Sequence, residues 1–162
     1  MDGDELALPD LEARLRRVER RLALYDLVAS YGPAVDSGSA DAAAGLWADN
    51  GSYDFGEATL EGRDAIAEMV RGSRHQSLIR RGAAHTLGFP LVDLDADAEH
   101  AIVTGYSQVC LYEQDRFHVW RVSANRWELE WNGSAWKVNS RRTYVLDGRD
   151  AARALLSQGL TP

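Results

Sequence analysis

With 162 residues, the chain is long enough for one domain with a real core and too short for two ordinary ones. A formal charge of −7, from 18 basic against 25 acidic side chains, argues against a nucleic-acid or anionic-membrane partner. The single cysteine, Cys110, excludes an intramolecular disulfide and a multi-thiolate metal centre, and no stretch approaches the roughly 18 consecutive apolar residues of a membrane span.

Residues 1–9 read as an acidic N-terminal tail ending at Pro9, without a signal-peptide core, so a cytoplasmic protein is expected. Asp10 is suited to cap a helix in which Leu11, Leu15, Val18, Leu22, Tyr25 and Ala29 recur at steps of three and four. That stripe predicts an amphipathic helix. Its solvated face would carry Arg14, Arg16, Arg17, Arg20 and Arg21, interleaved with Glu12 and Glu19. Gly32-Pro33 should bend or tighten it near Tyr31 before Asp36 closes it. On a straight helix residues five apart point about 140° away from each other, so Tyr31 and Asp36 share a face only if the backbone departs from ideal geometry.

Ser39 is placed to cap a second helix, Ala40 to Ala48, burying Leu46 and Trp47. A strand from Ser52 to Glu57 and an extension to Leu60 follow, then a third helix opened by Glu61-Gly62-Arg63-Asp64 and ending by Gly72. Residues 73–82 have no clean period and read as an irregular segment over a pocket mouth. From Ala83 the period is two: strands over Ala83–Asp93, His100–Tyr112, Arg116–Trp131 and Trp136–Val145. A bulge is expected near Ser123-Ala124-Asn125, and Asn132-Gly133 turns the last hairpin. Asp150 to Ser157 is a short terminal helix, and 158–162 a C-terminal tail. The predicted layout is α+β, one domain over 10–157, with helices segregated on one face of a curved antiparallel sheet and a cavity between them.

If His85 points into that cavity, strand alternation sends Leu87, Phe89 and Leu91 the same way. Asp36 arriving from the helix end would then orient the imidazole as a general base, with Tyr31 as a hydroxyl donor nearby. Plainer readings stand beside these: His85 as a solvent-facing or satisfied core residue, Asp36 as a turn former, Tyr31 as a core aromatic. His118, Ser123, Asn125, Trp127, Asn139 and Arg141 are candidate linings, whereas His75 and His100 are expected at the surface. No HxxxH spacing, glycine-rich phosphate loop, nucleophile elbow or dinucleotide fingerprint is present, so neither metal nor cofactor is expected.

The helix LALYDLVASYGPAVDSGSADAAAGLWADNGSYDF, the GRDAI of the third helix, the AAHTLGFPLVDLDADAEHA hairpin and the closing WNGSAWKVNSRR together resemble the SnoaL-like branch of the nuclear transport factor 2-like superfamily. The pattern is most similar to the group holding scytalone dehydratase, bile-acid 7α-dehydratase and lindane dehydrochlorinase. The resemblance implies a cone-shaped sheet capped by N-terminal helices, Asp36 and His85 as a catalytic pair, and Tyr31 as its helper. An acidic residue on a later strand has no counterpart, Tyr106 and Ser107 being nearest. The implied activity is a cofactor-free lyase, a dehydratase-type elimination on a small apolar, polycyclic, steroid- or polyketide-like molecule. His118, Asn125, Phe89 and Trp127 would bind that substrate. An isomerase or cyclase using the same base, and a non-catalytic ligand-binding or assembly subunit, are the alternatives. A homo-oligomer, trimer or dimer, is also implied, with Trp120, Trp127, Trp131 and Trp136 as candidates for its surface.

Overall fold

The structure, a computed structural model, describes residues 8–158 and 160. The expected tails therefore fall largely outside the described residues, although Leu8 and Pro9 already belong to the first helix, α1 (Leu8–Asp36). Its second half behaves as a core helix should, burying Leu24, Val28, Tyr31 and Val35 at steps of four, three and four. Its first half is reversed with respect to expectation. Leu11, Leu15, Val18 and Leu22 are each more than half exposed, and it is the arginines that turn towards the domain. Arg17 donates to the carbonyls of Leu94 (2.7 Å) and Asp95, Arg20 to that of Ala98 (2.5 Å), and Arg21 to that of Val92 (3.2 Å). The helix here crosses a turn rather than a sheet face, and carbonyls facing it need donors, not hydrocarbon. The arginine stems pack while their heads bond, and the Arg20 guanidinium also lies 4.6 Å from the Trp131 ring centre.

The remaining elements are α2 (Ala40–Ala44), β1 (Trp47–Asp54), β2 (Thr59–Glu61), α3 (Gly62–Arg71), α4 (Ser73–Arg80), β3 (Ala83–Leu87), β4 (Leu91–Leu94), β5 (His100–Glu113), β6 (Arg116–Trp131), β7 (Trp136–Val145) and α5 (Asp150–Ser157). Three differ from the sequence reading. The second helix stops four residues early, and Trp47 is buried as the first residue of a strand rather than the last turn of a helix. The segment over the pocket is helical, not irregular. The expected long strand from Ala83 breaks at Gly88-Phe89-Pro90, since Pro90 has no N–H to give to a ladder, and resumes against the same partner, β5.

The sheet order is β2-β1-β7-β6-β5-β3, with β4 also on β5, and every pairing is antiparallel except β1 with β7. Helices α1 to α4 cover its concave side, whereas α5 packs Ala152 and Leu155 against Ala124 on the opposite side, so the helices are not all on one face. The bulges are not near residues 123–125. Arg121 pairs with Val109 and Val119 with Cys110, leaving Trp120 as the extra residue, and Asn139 is the extra residue between Val138 and Ser140. Of the four tryptophans expected at a self-association surface, Trp127 and Trp136 are buried and Trp131 packs against the core; only Trp120 is substantially exposed. Among the described residues no helix is long and apolar enough to cross a membrane.

Candidate active site

The end of α1 and the start of β3 meet because Gly32 lets them. A Cβ on residue 32 would stand 2.2 Å from the carbonyl oxygen of His85, so only glycine permits this approach. One turn further on, Asp36 grips residue 85 at two points: Oδ2 accepts the His85 backbone N–H at 2.7 Å, and Oδ1 accepts Nδ1–H at 2.5 Å. Both side chains are largely buried, at 23% exposure for Asp36 and 14% for His85. With Nδ1 carrying the proton for Asp36, Nε2 presents its lone pair, and His85 lines a cavity of about 190 Å³. The plainer reading of Asp36 as a turn former does not hold, since the N–H groups of Ser37 and Gly38 donate to the backbone carbonyls of Pro33 and Val35 instead.

Across the cavity stands Arg141, 2% exposed. Its Nε and Nη2 donate to Asn125 Oδ1 at 3.3 and 2.8 Å, but no carboxylate lies within ion-pair distance among the described residues, and Nη1 has no partner. Three rings surround the guanidinium instead: Tyr31 and Trp127 at 4.0 Å and Tyr53 at 4.7 Å from their centres. Ring quadrupoles offset part of the cost of burying a cation, yet an unspent N–H in a dry site is costly unless something binds there. Asn125 holds this floor together, accepting also from Thr143 Oγ1 (2.8 Å) and donating to Ser107 Oγ (2.8 Å).

Tyr31 lines the cavity next to Arg141, and burial, with Tyr53 beside it, pushes its phenol well above the ordinary value. It is therefore a neutral hydrogen-bond donor. His75 is a further correction. It is not at the surface but half-buried on α4, its Nε2–H donating to the Val35 carbonyl at 2.8 Å and its ring 5.8 Å from that of His85. It walls the side of the cavity that an irregular segment was expected to cover.

Of the residues expected to bind substrate, Trp127 and Asn125 lie one layer beneath the lining, shaping it through Arg141. Phe89 and His118 are outside it. The break in the strand turns Phe89 outwards, 87% exposed and stacked on Tyr25 at 4.9 Å, and Leu91 is exposed too, so the alternation from His85 survives only as far as Leu87. His118 lies beyond the rim, 3.8 Å from Glu113. Asn139 bonds Glu130 at the surface, and Tyr106 is exposed while Ser107 lines the cavity. His100, as expected, is exposed, 3.2 Å from Asp95. Arg141 was only one of several possible linings in the sequence. The bulge at Asn139 explains why: Trp136 and Val138 point inwards on even numbers, and the extra residue shifts the inward set to Arg141 and Thr143.

Residues 16–142 match the SnoaL-like domain family. Among solved structures the chain is similar to an NTF2-like protein with a cystatin-like fold from Novosphingobium aromaticivorans, at 40% identity and TM-score 0.90, covering 95% of this chain and 99% of that one. It shares its fold with a candidate scytalone dehydratase of the same organism (17% identity, TM-score 0.65, 83% and 87% of the two chains). The fold is shared also with the protein Aln2 from a Streptomyces species (16%, TM-score 0.71, 84% and 96%). No curated protein matches the chain. By the extent of the domain match and by the 40% relative that it spans almost end to end, the chain belongs to the SnoaL-like family, on the NTF2-like α+β fold.

Proposed function

We propose that the protein is a cofactor-independent lyase that removes water from a small, largely apolar β-hydroxy carbonyl compound, with His85 as the base. One observation carries this reading: a carboxylate-oriented imidazole faces a cavity whose opposite wall holds a buried guanidinium with an unused N–H. His85 Nε2 takes the proton from the carbon next to the carbonyl, and the C–H electron pair moves onto the carbonyl oxygen. Arg141 and the neutral hydroxyl of Tyr31 hold the resulting enolate oxygen, while Asp36 stabilises the imidazolium. The enolate then reforms its carbonyl, the C–O bond breaks, and the imidazolium gives its proton to the departing hydroxyl. Water and a conjugated double bond are the products, and His85 is neutral again. A positioned base contributes about 10²–10⁴ in rate and each oxyanion donor about 10²–10³.

The size of the cavity narrows the substrate. An engineered void of about 150 Å³ holds a benzene ring, so about 190 Å³ suits one ring or two with short substituents. The polyketide-like end of the expected range fits better than the steroid end, whose fused ring system exceeds that volume. An isomerase or cyclase is the second reading, because the same base and oxyanion donors serve when the proton returns to carbon instead of oxygen.

The test is a panel of mono- and bicyclic β-hydroxy carbonyl compounds followed by enone absorbance and by NMR in D₂O. Turnover lost in both His85→Ala and Asp36→Asn, with circular dichroism unchanged, is the expected result. Turnover retained in either variant refutes the base. Deuterium incorporation without loss of water identifies the isomerase, and binding with no exchange identifies a ligand-binding module.

A further inference from the structure

The geometry points to the exposed stripe on the first half of α1 as a self-association seam that receives the same helix of a second copy, in parallel. Leu8, Leu11, Leu15, Val18, Leu22 and Tyr25 follow one another at steps of three, four, three, four and three, which is an unbroken a/d heptad pattern. An ordinary surface helix spends such a stripe on its own core. This one does not: the first five are each more than half exposed, while Arg17 and Arg20 on the opposite side of the same turns, and Arg21 on the flank, bond the domain. Phe89, stacked on Tyr25, lengthens the apolar strip at the end nearer the domain.

The flanks say what covers it. With Leu8, Leu15 and Leu22 at a, the e positions are Glu12, Glu19 and Asp26 and the g positions are Arg14 and Arg21, all acidic on one side and basic on the other. In a parallel pair each g faces the e of the next heptad, so Arg14 meets Glu19 of the second copy and Arg21 meets Asp26. In an antiparallel pair g faces g and e faces e, arginine against arginine and acid against acid. The charge pattern therefore selects the parallel arrangement. The seam, about 27 Å long over 18 residues, would be marginal as a free peptide. Here the helix is already held by the domain, so no folding cost falls on association. The two domains would sit on outer sides of the pair, leaving both cavities open.

Sedimentation velocity of the full chain over about 5–100 µM should show a two-chain species. Leu15→Glu, at an exposed position where the monomer tolerates a charge, should weaken association at least ~100-fold. Arg14→Glu should weaken it about three- to tenfold, and Arg14→Glu with Glu19→Arg should recover it. Val18→Cys in a Cys110→Ser background should form a disulfide-linked dimer on oxidation, because a d position faces its own copy only in parallel pairing. A monomer throughout the range, a dimer indifferent to Leu15→Glu, tighter association in Arg14→Glu, or a monomer that instead binds anionic vesicles through the stripe would each overturn the assignment.

Discussion

Replacing Gly32 by alanine sets two well-understood effects against each other, and the structure says which wins. In a helix interior glycine is worse than alanine by about 1 kcal/mol, so propensity alone predicts a gain in stability. The new methyl would, however, lie 2.2 Å from the His85 carbonyl oxygen, and the obstacle is strand backbone rather than the tip of a flexible side chain. Reaching ordinary contact requires α1 and β3 to separate by about 1 Å, an overpacking cost of about 1–3 kcal/mol that offsets and exceeds the propensity gain. The same displacement acts on the 2.5 Å bond between Asp36 and His85, and a misplacement of about 1 Å is worth roughly 10² in rate. The net cost of up to about 2 kcal/mol should lower the Tm of Gly32→Ala by up to about 8 °C, and the displaced contact should move the imidazole proton resonances of His85 in NMR spectra. Ser30→Ala, at an exposed site two residues earlier, serves as the control and should do neither. A Gly32→Ala protein that melts at or above the parent temperature, with unaltered His85 imidazole resonances, would refute the view that this glycine seats the Asp36–His85 pair.

Arg141→Met should leave folding stability unchanged or raise it by about 1–2 kcal/mol, since it replaces an unpaired buried cation by hydrocarbon of similar length. Turnover should nevertheless fall at least ~100-fold; a large loss of stability on denaturant unfolding would make Arg141 a structural residue instead. Tyr31 supplies a pH prediction. Its folded-state pKa is raised above the 10.0 of a free phenol, chiefly by burial, so the unfolded chain releases this proton first. Its contribution to stability is complete below pH 10 and declines above it, with a slope of up to about 1.4 kcal/mol per pH unit. Urea unfolding from pH 8 to 11 should show a shallower alkaline decline in Tyr31→Phe than in the parent, and parallel curves would remove the effect.

The periodicity in this chain is local information, and what depended on it alone could be read. The helical steps of α1, the alternation in β5 to β7 and the Asn132-Gly133 turn all depend on neighbours within a few residues. So does the order of elements that gives an α+β fold. The convergence of Asp36 and His85 could be anticipated because Asp36 closes one such element and His85 lies near the start of another, and the resemblance supplied the pairing. The direction in which an element faces is a different kind of fact. The stripe on α1 has the spacing of a core face, yet it lies outwards because carbonyls from residues 92 to 98, more than seventy positions away, call for the arginines on the other side. Arg141 rather than Arg142 reaches the cavity because one extra residue at position 139 reverses the parity of β7. Phe89 leaves the cavity because the strand breaks beside it. Spacing along the chain determines which residues share a face; what that face meets is decided by groups distant in the chain and by single-residue slips between strands, and only the packed molecule contains those.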